Sequence, residues 1–319
     1  MRSQKRVLLL GGTGTIGRAT LRALVARGHF VRALVRRPQP AMDGVEFYIA
    51  DVTDAHWLDA DVFGDEPINA IISCLASRTG MAREAWAIDY KAHSDLLKRA
   101  KDKGIAHMVL LSAICVQKPK LPFQQAKLAF ETELRESGLT FSIVRPTAFF
   151  KSLSGQVARV KAGKPFMIFG DGSLTSCKPI SDEDLGLFLT GCLDNPIYHN
   201  RILPIGGPEP AITPRQQGES LFAALGRPAK FSSVPVGLLK FIHAILSALG
   251  PFSRKLSDKA ELAGIGLYYA TESMLVWDET AQSYSAQATP SFGTQSLGDH
   301  YARLIRGEIA DDRGDHAVF

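Results

Sequence analysis

The chain has 319 residues, about twice the ~150 typical of a single domain, so it is read as two lobes or one enlarged unit. Hydrophobic residues make up 45% and charged residues 22%, which excludes wholesale disorder and a polytopic membrane protein. Lys and Arg total 37 against 32 Asp and Glu, leaving +5, a mild excess that favours anionic ligands or surfaces without forming a nucleic-acid footprint.

Only Met1 to Arg6 precede the first apolar run, Val7 to Leu10, so no signal or transit segment is read and the cytoplasm is the expected location. A helical stretch at Ile16–Ala26 and a second apolar run at Phe30–Val35 complete a βαβ unit. Further strands are expected at Val45–Ala50, Ala70–Cys74, Met108–Leu111 and Phe141–Val144, with helices near Asp54–Phe63, Met81–Lys103 and Phe123–Glu136 between them. Parallel strands need crossovers, and both faces of such a sheet need cover. The predicted fold is therefore α/β, a doubly wound parallel sheet.

Past Pro146 glycine and proline become frequent, as in Gly163-Lys164-Pro165 and Gly206-Gly207-Pro208. We place a nucleotide-binding domain at 1–150 and a smaller mixed lobe at 151–319, some of whose elements return to the first sheet. Helix starts are legible at Ser181, before three acids, and at Thr213-Pro214-Arg215-Gln216, where Thr caps and Gln216 closes a capping box. The segment Val236–Leu249 is apolar round most of its circumference except at Lys240 and His243. At about 21 Å it is too short to cross a bilayer. It reads as a buried or subunit-interface helix, with a lid or a peripheral membrane foot as the alternative. The tail from Asp311 is left unassigned. Cys74, Cys115, Cys177 and Cys192 are widely spaced, without a Cys-x-x-Cys pair, and read as reduced thiols; no His or Cys spacing suits a metal, so none is expected.

Gly11-Gly12-Thr13-Gly14-Thr15-Ile16-Gly17 follows the first strand and opens a helix. Glycines there permit a tight turn, close approach of a pyrophosphate and close helix–sheet packing, while the helix N-terminus favours negative charge. Gly11, Gly14, Thr15, Ile16 and Gly17 are candidate dinucleotide contacts. Where an NAD site places an acid after the second strand stand Arg36 and Arg37, whose planar donor forks suit the 2′-phosphate of NADPH. A solvated basic loop would look the same. Asp51 and Val52 are candidate neighbours of the adenine, although Asp51 also reads as a surface acid. Leu75 and Pro146 are further candidate cofactor contacts.

The glycine turn, a strand ending in Ser112, and Phe123-Gln124-Gln125-Ala126-Lys127 together resemble the short-chain dehydrogenase/reductase superfamily, in its atypical, isoflavone-reductase-like branch. That superfamily carries Tyr-x-x-x-Lys on one helix face, the Tyr passing a proton and the Lys holding the nicotinamide ribose. Phe123 stands in the Tyr position, so the usual carbonyl relay is not expected, and Lys127 is the candidate catalytic and cofactor-binding residue. It also reads as a solvent-facing helix lysine. The run Arg145-Pro146-Thr147-Ala148-Phe149-Phe150-Lys151-Ser152-Leu153 narrows the match to the divinyl chlorophyllide 8-vinyl reductases. The similarity continues through Phe169-Gly170-Asp171-Gly172, Cys177-Lys178-Pro179-Ile180-Ser181 and Tyr268-Tyr269-Ala270-Thr271-Glu272-Ser273-Met274.

The resemblance implies NADPH-dependent reduction of one vinyl group of a magnesium tetrapyrrole, divinyl chlorophyllide or protochlorophyllide, within (bacterio)chlorophyll synthesis; peripheral contact of 236–249 with photosynthetic membranes is the alternative to a purely cytoplasmic location. A broad flat apolar substrate asks for an apolar slot. Candidate substrate residues are Phe123, Phe149, Phe150, Lys151, Tyr268 and Tyr269, with Phe166, Phe169, Lys178 and His243 as weaker ones. Each aromatic also reads as core, and each lysine as a surface charge. A non-catalytic NADP(H) sensor and a reductase of another conjugated molecule are the competing readings.

Overall fold

A computed structural model describes residues 4–54, 56–58 and 61–310. In chain order these form β1 (Arg6–Leu10), α1 (Thr15–Ala26), β2 (Phe30–Val35), β3 (Val45–Ile49), β4 (Ala70–Ser73) and α2 (Ala82–Ala85). A π-helical segment (Trp86–Ala92) leads directly into α3 (His93–Asp102), followed by β5 (His107–Leu111), α4 (Pro122–Glu136), β6 (Thr140–Pro146), α5 (Phe150–Leu153), α6 (Val157–Lys161) and β7 (Phe166–Phe169). The remaining elements are α7 (Asp182–Gly191), β8 (Arg201–Ile205), α8 (Pro214–Ala224), β9 (Phe231–Val234), α9 (Val236–Leu249), α10 (Arg254–Thr271), β10 (Val276–Asp278), β11 (Ser283–Ser285) and α11 (Leu297–Arg306).

A seven-stranded sheet runs β3-β2-β1-β4-β5-β6-β8, and the pairings from β3 across to β6 are all parallel. The expected doubly wound α/β fold is observed. Val7 to Leu10 of β1 are each 0% exposed, which is why this strand reads as an unbroken apolar run: helices cover both of its faces. Chain order reverses between β1 and β4, so the crevice beyond their carboxyl ends is the topological switch point where such sheets bind ligands.

The described residues divide into two compact units, those within 1–77, 82–146 and 182–203, and those within 78–81, 147–181 and 204–319. Thus α7 and most of β8 return to the first unit, where α7 packs along α1. The first unit's core gathers Leu8, Leu10, Ile71, Leu96, Leu97, Phe130 and Ile143. The second unit has its own core around Phe150, Phe166, Leu221, Phe222 and Tyr301, with β7 and β9 paired in parallel. At α8 the capping box forms as expected: Thr213 Oγ1 accepts from Gln216 N at 3.3 Å and Gln216 Oε1 accepts from Thr213 N at 2.8 Å.

Two expectations change. The helix read at Asp54–Phe63 is absent among the described residues of that stretch, which form turns around Asp54 and 56–58; residues 55, 59 and 60 lie outside them. The segment Val236–Leu249 is a helix, but none of its residues is buried, which removes the buried half of its reading as a buried or subunit-interface helix. An apolar circumference records composition and not which faces find partners. The tail from Asp311 lies outside the described residues.

Candidate active site

At the end of β1 the main chain turns so tightly that side chains are excluded. Gly11 has φ +72°, and a Cβ on it would lie 2.6 Å from the carbonyl oxygen of Cys74. At Gly17 a Cβ would lie 2.0 Å from the carbonyl oxygen of Gly11. Gly14 N donates to Gly11 O at 2.9 Å, closing the turn, and Gly14 is the N-cap of α1. No side chain caps α1 and no acid stands in its first turn, so the positive end of the helix dipole there suits an anion. The turn therefore fits the pyrophosphate of a dinucleotide. Leu75 is brought beside it, since its amide nitrogen lies 2.8 Å from the same absent Cβ of Gly11.

The other cofactor candidates sit at the carboxyl ends of neighbouring strands. Arg36 and Arg37 follow β2 and are exposed; Asp51 and Val52 follow β3; Pro146 ends β6 and is buried. Asp51 accepts from the backbone and hydroxyl of Thr53 at 2.9 and 2.7 Å. Those hydrogen bonds hold its carboxyl below the usual value, with a smaller contribution from Arg36. The guanidinium pair beyond β2 is exposed, and no acid stands at that strand end.

Lys127 is not a solvent-facing lysine. Its side chain is 12% exposed, and Nζ donates at 2.8 Å to Oδ1 of Asp89, whose side chain is fully buried. Asp89 lies in the π-helical segment, a wide turn of the kind found at functional sites. The backbone N–H of Ser77 donates to Asp89 Oδ1 at 3.2 Å, and the Ser77 hydroxyl donates to Oδ2. One turn further on, His93 bridges the carbonyl of Ile88 at 2.8 Å and the hydroxyl of Ser73 at 2.7 Å. Burial pushes the His93 imidazole down to about 4, so near neutral pH it is uncharged. Asp89, Ser77, Ser73 and His93 are site residues that sequence reasoning did not find.

Phe123 is buried in the first turn of α4. The helix starts there because Pro122 occupies its first position and Gln124 Oε1 accepts the N–H groups of Lys120 and Leu121 at 2.7 and 2.9 Å. Ser112, just after β5, is also committed: its hydroxyl donates to Glu131, a buried carboxylate on α4 that Arg145 grips through Nε at 3.1 Å and through a second guanidinium nitrogen. Phe123 thus offers no donor, and the Ser112 hydroxyl is already bound to a carboxylate.

In the second unit, Phe150 and Phe166 are 1% and 2% exposed and belong to its core. Tyr268 is buried and meets Tyr269 edge-on at 5.8 Å, while Tyr269 is exposed on one side. Phe149, Lys151 and Phe169 are half-buried. Lys178 donates to the carbonyl of Thr289 at 3.2 Å, and His243 lies within 3.4 Å of the Ser247 hydroxyl. All four cysteines are free, and burial pushes the Cys74, Cys177 and Cys192 thiols up to about 12.

The comparisons with known proteins accord with this geometry. A family profile described as NAD(P)H-binding matches residues 11–196. An NADPH-dependent quinone oxidoreductase of Escherichia coli, solved with NADPH, superposes with a TM-score of 0.65 over 94% of this chain and 99% of its own, at 16% identity, a likeness of fold. Fold, turn and profile define an NAD(P)H-binding protein of the doubly wound class, with a nicotinamide nucleotide as cofactor. The chloroplastic divinyl chlorophyllide a 8-vinyl-reductase of Oryza sativa subsp. indica is 46% identical over 99% of this chain and 83% of its own length. That of Arabidopsis thaliana is 43% identical over 95% and 78%. The chain belongs to the divinyl chlorophyllide a 8-vinyl-reductase family.

Proposed function

We propose that this protein reduces the 8-vinyl group of divinyl chlorophyllide to ethyl, with NADPH as reductant. The observation that carries the reading is near-full-length identity to the plant vinyl reductases, from 43% to 46%. The site's chemistry supports it. Reduction of a ketone builds charge on oxygen and needs a donor there, whereas Phe123 offers no proton and the Ser112 hydroxyl is engaged by Glu131. A vinyl group conjugated to a macrocycle spreads developing charge through the ring system and needs no oxyanion donor.

The glycine turn and the first turn of α1 would hold NADPH, which would supply a hydride; vinyl reduction would place it on the terminal carbon. Atom balance then asks for one proton at the inner carbon. Lys127 is the group we assign to hold it, either delivering it directly or orienting the nicotinamide ribose while solvent delivers it. Asp89 keeps the ammonium in place, and Ser77 in turn fixes Asp89. Gly11, Gly14 and Gly17 with the first turn of α1 bind the pyrophosphate, Leu75 and Pro146 line the nicotinamide half, and Asp51 and Val52 border the adenine. Arg36 and Arg37 select the 2′-phosphate. In the second unit Phe149, Lys151, Phe169 and Tyr269 are candidate side chains that burial does not commit to that unit's core.

Purified protein incubated with NADPH and divinyl chlorophyllide a tests the reading. The expected result is a chromatographically distinct 8-ethyl product with a shifted Soret band, formed one for one with NADPH consumed. Tight nucleotide binding with no pigment conversion would overturn it and favour a nucleotide sensor.

A further inference from the structure

Helix α9 is apolar on the wrong side for a helix that only packs inward. Its half-buried residues, Val236, Leu239, His243 and Leu246, follow helical spacing and turn to the same unit, where α10 lies alongside. Leu238, Phe241, Ile242, Ile245 and Leu249 recur at i, i+3, i+4, i+7 and i+11, which places them on one stripe. They are 41% to 63% exposed. Phe252, in the turn that follows, extends the stripe at 85% exposure. Soluble surfaces carry single exposed apolar residues commonly but rarely a continuous row of six.

The charges around the stripe say what covers it. Between 236 and 261 the charged residues classed as exposed are Lys240, Arg254, Lys255 and Lys259, all cationic; Asp258 and Glu261 are half-buried. Among the described residues none of the four cations enters an ion pair. A second copy docking stripe to stripe about a two-fold axis would bring like charges together. An anionic lipid surface satisfies both parts at once, because acyl chains receive the stripe and headgroups receive the cations, whose stems reach back from the apolar layer. No described helix is long and apolar enough to cross a membrane, and the roughly 21 Å of α9 suits lying in the interface plane.

We propose that α9 and the turn at Phe252 form an interfacial foot that seats the protein on an anionic membrane. This rests on the exposed stripe and its cations and stands independently of the reductase reading. The test is flotation of the full chain with phosphatidylcholine vesicles containing or lacking phosphatidylglycerol. The protein is expected to float with the anionic vesicles, to float much less with neutral ones, and to lose binding as salt rises. Phe241→Ser with Phe252→Ser is expected to reduce partition at least ~10-fold, given what two aromatic side chains contribute on burial. Replacing Lys240, Arg254 and Lys255 with Gln is expected to cost about 5-fold per charge on anionic vesicles and little on neutral ones. Pigment reduction in detergent should be unchanged in both variants; a loss of it there would overturn the proposal by tying the stripe to the reaction, whereas an inactive wild type that still floats would count against the reductase reading alone. Equal flotation of wild type and the Phe variant, or a wild-type dimer that this variant splits, would overturn the proposal.

Discussion

Along α4, one turn apart, two buried carboxylates meet two bases: Asp89 takes Lys127, and Glu131 on the helix itself takes Arg145. Both acids are 2% exposed, yet the two pairs differ in what they leave over. Arg145 reaches both oxygens of Glu131 and the Ser112 hydroxyl adds a third donor, so that site is closed. Lys127 gives one N–H to Asp89, which leaves two ammonium donors that no described residue occupies. The comparison teaches that burial of charge alone does not mark a working group. An Arg fork that saturates its partner is a brace, whereas a lysine held by one bond keeps capacity for a ligand.

The largest effect is expected at the open pair. Lys127→Met should lower kcat by about 100-fold or more, the range general acid catalysis supplies. Asp89→Asn should lower kcat less and alter the pH–rate profile, because Lys127 stays but loses its anchor. An unchanged rate in Lys127→Met would break the comparison at once. Glu131→Gln should act on the fold instead. Leaving the half-buried Arg145 without its charged partner costs about 3 kcal/mol, at the low end for a buried pair, read by urea unfolding, with turnover per folded molecule retained. A rate loss without a stability loss would reverse the two roles.

Acid sharpens the contrast by striking the shell behind Asp89. Because burial holds folded His93 at about 4 against 6.5 for an unperturbed imidazole, the unfolded chain binds more protons between those values. Stability should therefore be fully present above about pH 6.5 and fall as pH drops toward 4, by a total on the order of 3 kcal/mol from this histidine. Titration of His107, also pushed to about 4 chiefly by burial, acts in the same direction. Melting curves of the wild type and His93→Gln across this window measure the His93 share, and parallel curves would remove it. Smaller still, Arg36→Ala with Arg37→Ala should weaken NADPH binding about 10- to 100-fold and leave NADH nearly unchanged, by the worth of hydrogen bonds to a charged group. Equal losses for both nucleotides would refute the phosphate assignment. The least change is expected from Phe123→Tyr, because a vinyl reduction has no oxyanion for the restored hydroxyl to meet; a large gain would contradict that.

The sheet and the glycine turn were legible because both are written locally. Val7–Leu10 is apolar throughout because two helical layers bury it, and Gly11 and Gly17 are required by backbone contacts only a few residues away in sequence or at the adjoining strand end. The Lys127 network was not legible. Ser77 and Lys127 stand 12 and 38 residues from Asp89, and the π-helical turn shifts the register by which a regular helix would assign Asp89 to a face. For α9, apolar periodicity identified the helix but not its exposure, because both of its faces are apolar and α10 packs against one of them. Phe150 illustrates the reverse limit: an aromatic beside a specific motif was a reasonable pigment contact, and packing in the second core claims it instead.

Isotope labelling tests the central claim most directly. Divinyl chlorophyllide a reduced with NADPH carrying deuterium at the transferable position should yield an 8-ethyl product with one deuterium on the terminal carbon, whereas reaction in deuterated water with unlabelled NADPH should place it on the inner carbon. Label from the nucleotide found at any other position, or an 8-vinyl group recovered intact, would contradict the account.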